Sequence, residues 1–286
     1  MARCPILITG CSSGIGHATA LRLASRGQWT VYATARRLDS LADLAAAGCR
    51  TRVLDVTDET SMRGVVSEIE SEHGALGALV NNAGYSQSGA VEAVPLDRVR
   101  AQFETNVFGL IRLTQLVLPA MRRARRGRIV LLSSMGGKLV FPGGGLYHAT
   151  KHAVEALGDA LRFELRGFGI RVVIIEPGLI RTKFSEAAVG AMVGVGDEVD
   201  EGYRAFHARV AEATRNSYVK GKAAILAGSS DDVASVIETA ISSHHPRTRY
   251  KVSSSARVFI AMRRLLGDRG WDWFLRSVYP SPGEDR

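Results

Sequence analysis

A tyrosine and a lysine four residues apart carry the first chemical signal in the sequence. Tyr147 and Lys151 open a segment with helical periodicity, and residues four apart on a helix share a face. A phenol normally loses its proton near pH ~10, but an ammonium group within a few ångström lowers that pKa. Ser134 lies thirteen residues earlier, across a Gly/Pro-rich loop, where its hydroxyl could bind the same substrate oxygen. The trio predicts proton transfer to or from an alcohol or carbonyl oxygen.

A glycine-rich turn near the N-terminus predicts a phosphate-binding loop. It joins a strand-like apolar run, Cys4 to Thr9, to a helical pattern from His17 to Arg26. Glycines there let the backbone approach a phosphate, which the free N–H groups of the helix N-terminus then bind. The spacing is Gly-x-x-x-Gly-x-Gly, and its place at the first strand–helix junction favours a dinucleotide over an ordinary turn. The predicted contacts are Gly10, Ser12, Ser13, Gly14, Ile15 and Gly16.

Two arginines end the second predicted strand, which runs from Trp29 to Arg37. An acidic residue at this point would hold the ribose 2′-hydroxyl of NAD. Arg36 and Arg37 stand there instead, and a guanidinium binds a 2′-phosphate through charge-assisted hydrogen bonds. The sequence therefore predicts NADP. In the alternative interpretation both arginines are surface residues, and Asp39 nearby counts against a phosphate.

Further predicted cofactor contacts follow other strands, since ligands of open α/β sheets bind at the carboxyl ends of the strands. Asp55 and Val56 follow the strand Arg50–Leu54, and Asp55 is predicted to hold the adenine amino group. The other contacts are Asn82, Ala83 and Gly84 after the strand Ala78–Val80, and Pro177, Gly178 and Thr182 after Ile170–Glu176.

An asparagine interrupts the apolar stripe of a long helical pattern, Leu96 to Met121. A buried amide costs free energy unless hydrogen bonds satisfy it. Asn106 could bond the neighbouring backbone, or it could hold a water molecule near Lys151.

Composition narrows the class of protein. The chain has 286 residues, 46% of them hydrophobic, and a net charge of +9. Its basic residues are not interleaved with aromatics, so no nucleic-acid partner is predicted. The three cysteines have no metal or redox spacing, which predicts no metal and a reducing cytosol. We see no signal-peptide pattern and no apolar run that could span a bilayer, and we expect a cytoplasmic protein.

Strands alternate with helices seven times, which predicts an α/β Rossmann-type fold. The sheet would be parallel, doubly wound and seven-stranded, with helices on both faces. Residues 1–255 form the predicted catalytic domain, within which 183–222, including Phe184, Met192, Val193 and Val195, form a substrate lid. Residues 256–286 form an amphipathic helical extension that could cap the pocket, pack on a second subunit or lie on a membrane surface.

In this order the motifs resemble those of the short-chain dehydrogenase/reductase family, over roughly residues 6–252. The resemblance rests on Thr9-Gly10-x-x-x-Gly14-Ile15-Gly16, Asn81-Asn82-Ala83-Gly84, Asn106, Ser134, Tyr147-x-x-x-Lys151 and Pro177-Gly178. It implies that Tyr147 is the general acid/base and that Lys151 lowers its pKa and binds the nicotinamide ribose. It further implies that Ser134 orients the substrate oxygen and that Asn106 holds a water in a proton relay. Thr182 would contact the carboxamide, and Asp55 and Asn82 would border the adenosine.

The finer resemblance is to the NADP-using branch that includes hydroxysteroid and retinol dehydrogenases. It implies a hydrophobic alcohol or carbonyl substrate and a homodimer or homotetramer. The run Gly143–Gly145 could leave room for a large substrate. Two alternatives remain open: a ketoreductase of natural-product or fatty-acyl biosynthesis with a carrier-bound substrate, and a non-catalytic NADP-binding regulator.

Overall fold

The computed structural model describes residues 3–182, 184, 188, 190–191, 201–219, 222–279 and 281–282. Sixteen residues of the predicted lid lie outside the described residues, among them Lys183, Met192, Val193 and Val195. Phe184 and residues 201–219 of the lid lie within them.

A parallel sheet of seven strands forms the centre of the fold, as predicted. The strands in the described residues are β1 Cys4–Ile8, β2 Trp29–Ala35, β3 Arg50–Val53, β4 Ala78–Asn81, β5 Gly127–Leu132, β6 Ile170–Pro177, β7 Ile180–Arg181, β8 Gly228–Ser229 and β9 Arg249–Val252. The large sheet has the order β3-β2-β1-β4-β5-β6-β9, and β7 pairs with β8 outside it. The order reverses direction between β1 and β4, which is where ligands of such sheets bind.

Helices cover both faces of the sheet, as predicted. Those in the described residues are α1 Gly14–Arg26, α2 Ala42–Ala46, α3 Glu59–His73, α4 Leu96–Phe103, α5 Gly109–Arg123, α6 Gly145–Leu165, α7 Glu201–Val219, α8 Ser230–Ser242 and α9 Ser254–Val278. Side chains alternate along a strand, so Ile6 and Ile8 pack on the α1–α8 side while Leu7 packs on the α3–α5–α6 side. The sheet is therefore packed between two apolar cores, one on each face.

Several predicted boundaries differ from the observed ones. The first helix begins at Gly14 rather than His17, and β2 ends at Ala35 rather than Arg37. The helical pattern predicted from Leu96 to Met121 is observed as one continuous helical run, in which a π-helical turn over Glu104–Phe108 joins α4 to α5. This turn was not predicted from the sequence, and its inserted residue shifts the apolar stripe by about 100°.

The C-terminal extension packs against the loop that joins β5 to α6. Its helix α9 breaks at Gly267 (φ 59°, ψ −165°) and is thereby divided into two helical segments. The buried side chains of Ile260 and Trp271 lie in one apolar cluster with Met135 and Leu139. Trp271 Nε1 also donates a hydrogen bond of 3.1 Å to the carbonyl of Val140. No helix in the described part of the chain is long and apolar enough to cross a membrane.

The anchoring of α9 is testable with two tryptophans in the same turn. Trp271 is 3% exposed, whereas Trp273 is 72% exposed. We expect Trp271→Ala to lower the free energy of unfolding by about 3–5 kcal/mol, because it leaves a cavity under the helix. Trp273→Ala, the matched control, should change it by less than ~0.5 kcal/mol. Urea denaturation measures both, and equal losses would contradict the packing described.

Candidate active site

The predicted catalytic residues lie together at the carboxyl edge of the sheet. Ser134 follows β5, and its Oγ accepts a 3.0 Å hydrogen bond from the N–H of Gly136, which fixes the turn Met135–Gly137. Tyr147 lies in the first turn of α6, and the Ser134 side chain is close enough to its phenol to oppose the rise of the phenol pKa that burial causes. The loop of twelve residues between them therefore returns to its starting point, which brings two hydroxyl groups to one place.

Lys151 lies one turn further along α6 and is 5% exposed. Its Nζ lies 5.7 Å from the centroid of the Tyr147 ring and donates a 2.7 Å hydrogen bond to the carbonyl of Leu132. The ammonium group is thus held beside the phenol by the end of β5.

Burial shifts the pKa values of both groups toward their neutral forms. It raises the pKa of Tyr147 above the ordinary phenol value, and the hydrogen bond from Ser134 opposes the rise. It lowers the pKa of Lys151 to about 8, and the charge of Glu155 opposes the fall. The sequence predicts that Lys151 lowers the phenol pKa. In this structure desolvation dominates, because surrounding protein replaces the water that would solvate a phenolate.

Asn106 occupies the π-helical turn between α4 and α5 and is buried. Its Oδ1 accepts from the N–H of Tyr85 (3.0 Å), and its Nδ2 donates to the Tyr85 carbonyl (2.9 Å) and to Thr150 Oγ1 (3.1 Å). The amide therefore ties the strand-end loop to α6. This is the backbone-bonding alternative of the sequence analysis, and the water-holding role stays a prediction.

The glycine-rich loop is closed tightly against the turn after β4. Asn82 Nδ2 donates to the carbonyls of Thr9 (2.8 Å) and Gly10 (3.1 Å). A Cβ atom on Gly16 would lie 2.5 Å from both Asn82 Nδ2 and the Gly10 carbonyl oxygen. Ser13 at the start of α1 makes no side-chain cap, and the first N–H groups of the helix have no side-chain partner among the described residues. The loop can thus present backbone donors to an anion.

The remaining predicted cofactor contacts described next are Thr182, Asp55, Val56, Pro177 and Gly178. Thr182 lies beside the phosphate loop, its methyl carbon 3.6 Å from where a Cβ of Gly14 would be. Asp55 Oδ1 accepts from the N–H (2.9 Å) and hydroxyl (2.8 Å) of Thr57, and Val56 is buried. Pro177 ends β6 opposite Val252, and Gly178 packs closely on the first turn of α9. Gly178 therefore needs its small size for the C-terminal helix.

The two arginines after β2 differ in their partners. Arg37 Nε lies 3.3 Å from Asp39 Oδ1, so this acidic residue is engaged by Arg37. Arg36 is exposed and makes no ion pair within the described residues. Burial raises the pKa of the Tyr85 phenol, and the charge of Arg36 opposes that rise. Arg36 thus extends its charge toward the loop after β4.

The triple glycine is closely packed at Gly143 and Gly144, but Gly143 and Gly145 also border a cavity, so the suggested room for a large substrate stays a prediction. A Cβ atom on Gly144 would lie 2.5 Å from Cε1 of His148, and one on Gly143 would lie 2.7 Å from Cγ1 of Val210. Burial lowers the pKa of His148 to about 4, so the imidazole is neutral. His148 was not among the predicted site residues, although it adjoins Tyr147. The sequence does not identify it, because its imidazole contacts the glycines only in the folded loop.

Aromatic side chains lie around Tyr147. The ring of Phe184 lies 5.5 Å from the Tyr147 ring, between centroids. Tyr218 of α7 adds electrostatically to the raised Tyr147 pKa, and burial raises the pKa of Tyr218 itself to about 12. Tyr147 could therefore transfer a proton beside an apolar surface. No group of three metal-ligating side chains occurs within the described residues.

A substitution at Gly16 tests how closely the glycine-rich loop is packed. We expect Gly16→Ala to lower the free energy of unfolding by about 1–3 kcal/mol, because its methyl group would overlap backbone that cannot move aside. Gly64→Ala in α3 is the matched control, since nothing lies within 4 Å of its Cβ position. That substitution should raise stability by ~0.4–1 kcal/mol. Thermal and urea unfolding would compare them, and a neutral Gly16→Ala would refute the close approach.

Comparison with known proteins identifies the family. The family model described as short chain dehydrogenase matches residues 5–193. Human 17-beta-hydroxysteroid dehydrogenase type 1 is 34% identical over 274 residues, which cover 92% of this chain and 81% of the relative. The 3-ketodihydrosphingosine reductase of Bacteroides thetaiotaomicron is 41% identical over 181 residues, which cover 63% of this chain and 65% of the relative.

Solved structures agree with these relatives. A short-chain dehydrogenase from Streptomyces avermitilis has a TM-score of 0.76 and 33% identity, covering 97% of this chain and 98% of that one. A closed form of serine dehydrogenase complexed with NADP+ has a TM-score of 0.73 and 26% identity, covering 87% and 94%. The family match and the near full-length similarity show that the chain belongs to the short-chain dehydrogenase/reductase family of oxidoreductases.

Proposed function

We propose that the protein is an NADP(H)-dependent oxidoreductase that interconverts a ketone or aldehyde and an alcohol on a hydrophobic substrate. One observation carries the proposal: the neighbouring hydroxyls of Ser134 and Tyr147, with the Lys151 ammonium one helical turn away. A carbonyl oxygen placed between the two hydroxyls would receive two hydrogen bonds. This arrangement stabilises the negative charge that develops on that oxygen during reduction.

The chain supplies the proton and the charge balance of the reaction. NADPH, when bound, supplies the hydride that adds to the carbonyl carbon. Tyr147 gives its proton to the carbonyl oxygen, and the resulting phenolate is stabilised by the Ser134 hydroxyl and the Lys151 ammonium. Solvent then returns a proton to Tyr147. The raised pKa supports the acid role, because it keeps the phenol protonated until charge develops on the substrate oxygen.

Two features support a hydrophobic substrate. Phe184 and Tyr218 bring aromatic surface to Tyr147 from the lid segment, and Phe141 and Phe259 belong to the adjoining aromatic cluster. The names of two relatives denote reduction of a 3-keto compound and dehydrogenation of a 17-beta-hydroxysteroid. Both names support a C=O or CH–OH group as the reacting function.

The charges after β2 support NADP over NAD. Arg36 is a cation with no ion-pair partner among the described residues, whereas the carboxylate that could repel a phosphate, Asp39, faces Arg37. A phosphate on the adenosine ribose would find Arg36 ready to form a charge-assisted hydrogen bond.

Replacement of the phenol is the direct test of the reaction. Tyr147→Phe should reduce turnover by at least ~100-fold, because no other group replaces the proton donor. NADPH consumption with a panel of ketones and aldehydes measures turnover, and quenching of NADPH fluorescence shows whether the cofactor still binds. Tyr250→Phe removes a phenol from β9, away from the site, and should leave turnover near wild type. Normal turnover by Tyr147→Phe would eliminate the proposed mechanism.

The NADP preference has its own matched pair of variants. Arg36→Ala should weaken NADPH binding by roughly 10-fold or more, because it removes a charge-assisted contact, while NADH binding changes little. Arg37→Ala should have a smaller effect, since this guanidinium is already paired with Asp39. Titrations of both variants with both cofactors supply the four affinities. Equal losses for NADPH and NADH would contradict the phosphate assignment.

Other expectations stay predictions. Homodimer or homotetramer formation, a membrane contact through the C-terminal helices and the cytoplasmic location all belong to this group. Leu265 and Trp273 are 86% and 72% exposed on α9, and they supply the apolar surface that a subunit or membrane contact would use. A carrier-bound substrate is compatible with the same chemistry. The non-catalytic regulator is disfavoured, because such a protein has no need of Ser134, Tyr147 and Lys151 in one place.

A further inference from the structure

Behind the catalytic pair, α6 continues with two acidic residues at the same four-residue spacing. Tyr147 and Lys151 are followed by Glu155 and Asp159, so the four side chains form one row along the helix. Glu155 is 4% exposed, and Asp159 is about half exposed. A buried carboxylate is costly unless cations or hydrogen bonds compensate for the lost water, so its partners indicate its use.

Cations from two other segments meet at the Glu155 carboxylate. Its Oε2 lies 2.7 Å from Nζ of Lys138, in the loop after Ser134, and 3.0 Å from Nε of Arg249 on β9. Arg249 is shared, since it also lies 2.7 Å from Asp159 Oδ1 and 3.3 Å from Oε1 of Glu176. The other oxygen of Glu155, Oε1, is buried without a hydrogen-bond partner among the described residues.

Glu155 also touches the turn that carries Ser134. A Cβ atom on Gly137 would lie 2.9 Å from Cγ of Glu155 and 2.9 Å from the Lys151 carbonyl oxygen. The turn Met135–Gly137 is therefore packed directly on α6 between these two residues, and Lys138 at its end is held by the carboxylate. One side chain thus contacts the segment that positions Ser134 and stands one turn from Lys151.

We propose that Glu155 is a positioning residue of the active site, whose carboxylate keeps Lys151 in its ammonium form and, through Lys138, fixes the turn after Ser134. The inference rests on the proposed function. A purely structural carboxylate would need only Lys138 and Arg249 and would leave the charge of Lys151 unaffected. In the proposed role, the negative charge of Glu155 also stabilises the positive charge of Lys151.

The charge state of Lys151 is sensitive because burial already opposes it. Its pKa is lowered to about 8, with Glu155 opposing the fall, so this lysine titrates close to neutral pH. Among the described residues, the charged or titratable groups around this row include Tyr147, His148, Glu155, Asp159 and Arg162 on α6, Lys138 after β5, Glu176 at the end of β6, Tyr218 on α7, and Arg249 and Lys251 on β9. Removal of the Glu155 charge lowers the Lys151 pKa further. The ammonium form then persists only to a lower pH.

Glu155→Gln tests the proposal through the pH profile of turnover. The alkaline limb of kcat should move to lower pH by about one unit, because Lys151 loses its proton earlier. Asp159→Asn is the matched control, the same chemical change one turn further along α6, and should leave the limb in place. Lys138→Met should move it to higher pH, since it removes a cation beside the same carboxylate. Lys138→Met also keeps the test valid if Glu155→Gln folds poorly.

Nuclear magnetic resonance of labelled lysine separates this inference from the proposed function. The chain has six lysines, so the Lys151 resonance can be assigned with a single Lys151→Arg variant. The pKa of Lys151 should fall in Glu155→Gln, rise in Lys138→Met and stay unchanged in Asp159→Asn. These shifts are measurable even if no carbonyl substrate is turned over, in which case only the proposed function fails. An unchanged Lys151 pKa in both Glu155→Gln and Lys138→Met would overturn the inference.

Discussion

Desolvation of a phenol and an ammonium at the same edge of a sheet is the constraint on which the site depends. Burial favours the neutral form of each group, so it raises the pKa of Tyr147 and lowers that of Lys151. A phenolate beside an ammonium, which the proposed proton transfer would create, is therefore unfavourable unless fixed dipoles and charges compensate. Ser134 supplies a hydrogen bond to the phenol, and Leu132 supplies a carbonyl to the ammonium.

The fold provides these compensating groups from several parts of the chain. Parallel strands end at one edge, so the residues after β1, β4, β5 and β6 meet there although they are distant in sequence. Contacts between these loops are close: Asn82 bonds the phosphate loop, and Asn106 bonds both the Tyr85 backbone and α6. The C-terminal helix α9 then covers the loop between Ser134 and Tyr147 from outside. Close contacts of this kind hold the hydroxyl groups in fixed positions.

Much of the fold and most of the candidate site were predictable from local pattern. Short apolar runs alternating with helical periods predicted a seven-stranded parallel sheet, and the glycine loop and the Tyr147–Lys151 spacing predicted where chemistry would occur. Helix ends were less predictable, because Gly14 and Gly145 have poor helical propensity yet begin α1 and α6. The π-helical turn at Asn106 was missed, because the apolar stripe is too irregular to show a single shift of about 100°.

The sequence by itself determined the fold class, the family and the candidate residues for proton transfer, since each depends on residue type and short spacing. Tertiary structure alone decided how charges and volumes are shared. It placed His148 and Val210 in the space beside the triple glycine, paired Asp39 with Arg37 and left Arg36 available, and gathered Glu155, Lys138 and Arg249 behind Lys151. The physical reason is that burial and electrostatic fields arise from residues far apart in the chain, and no local pattern records which of them will meet.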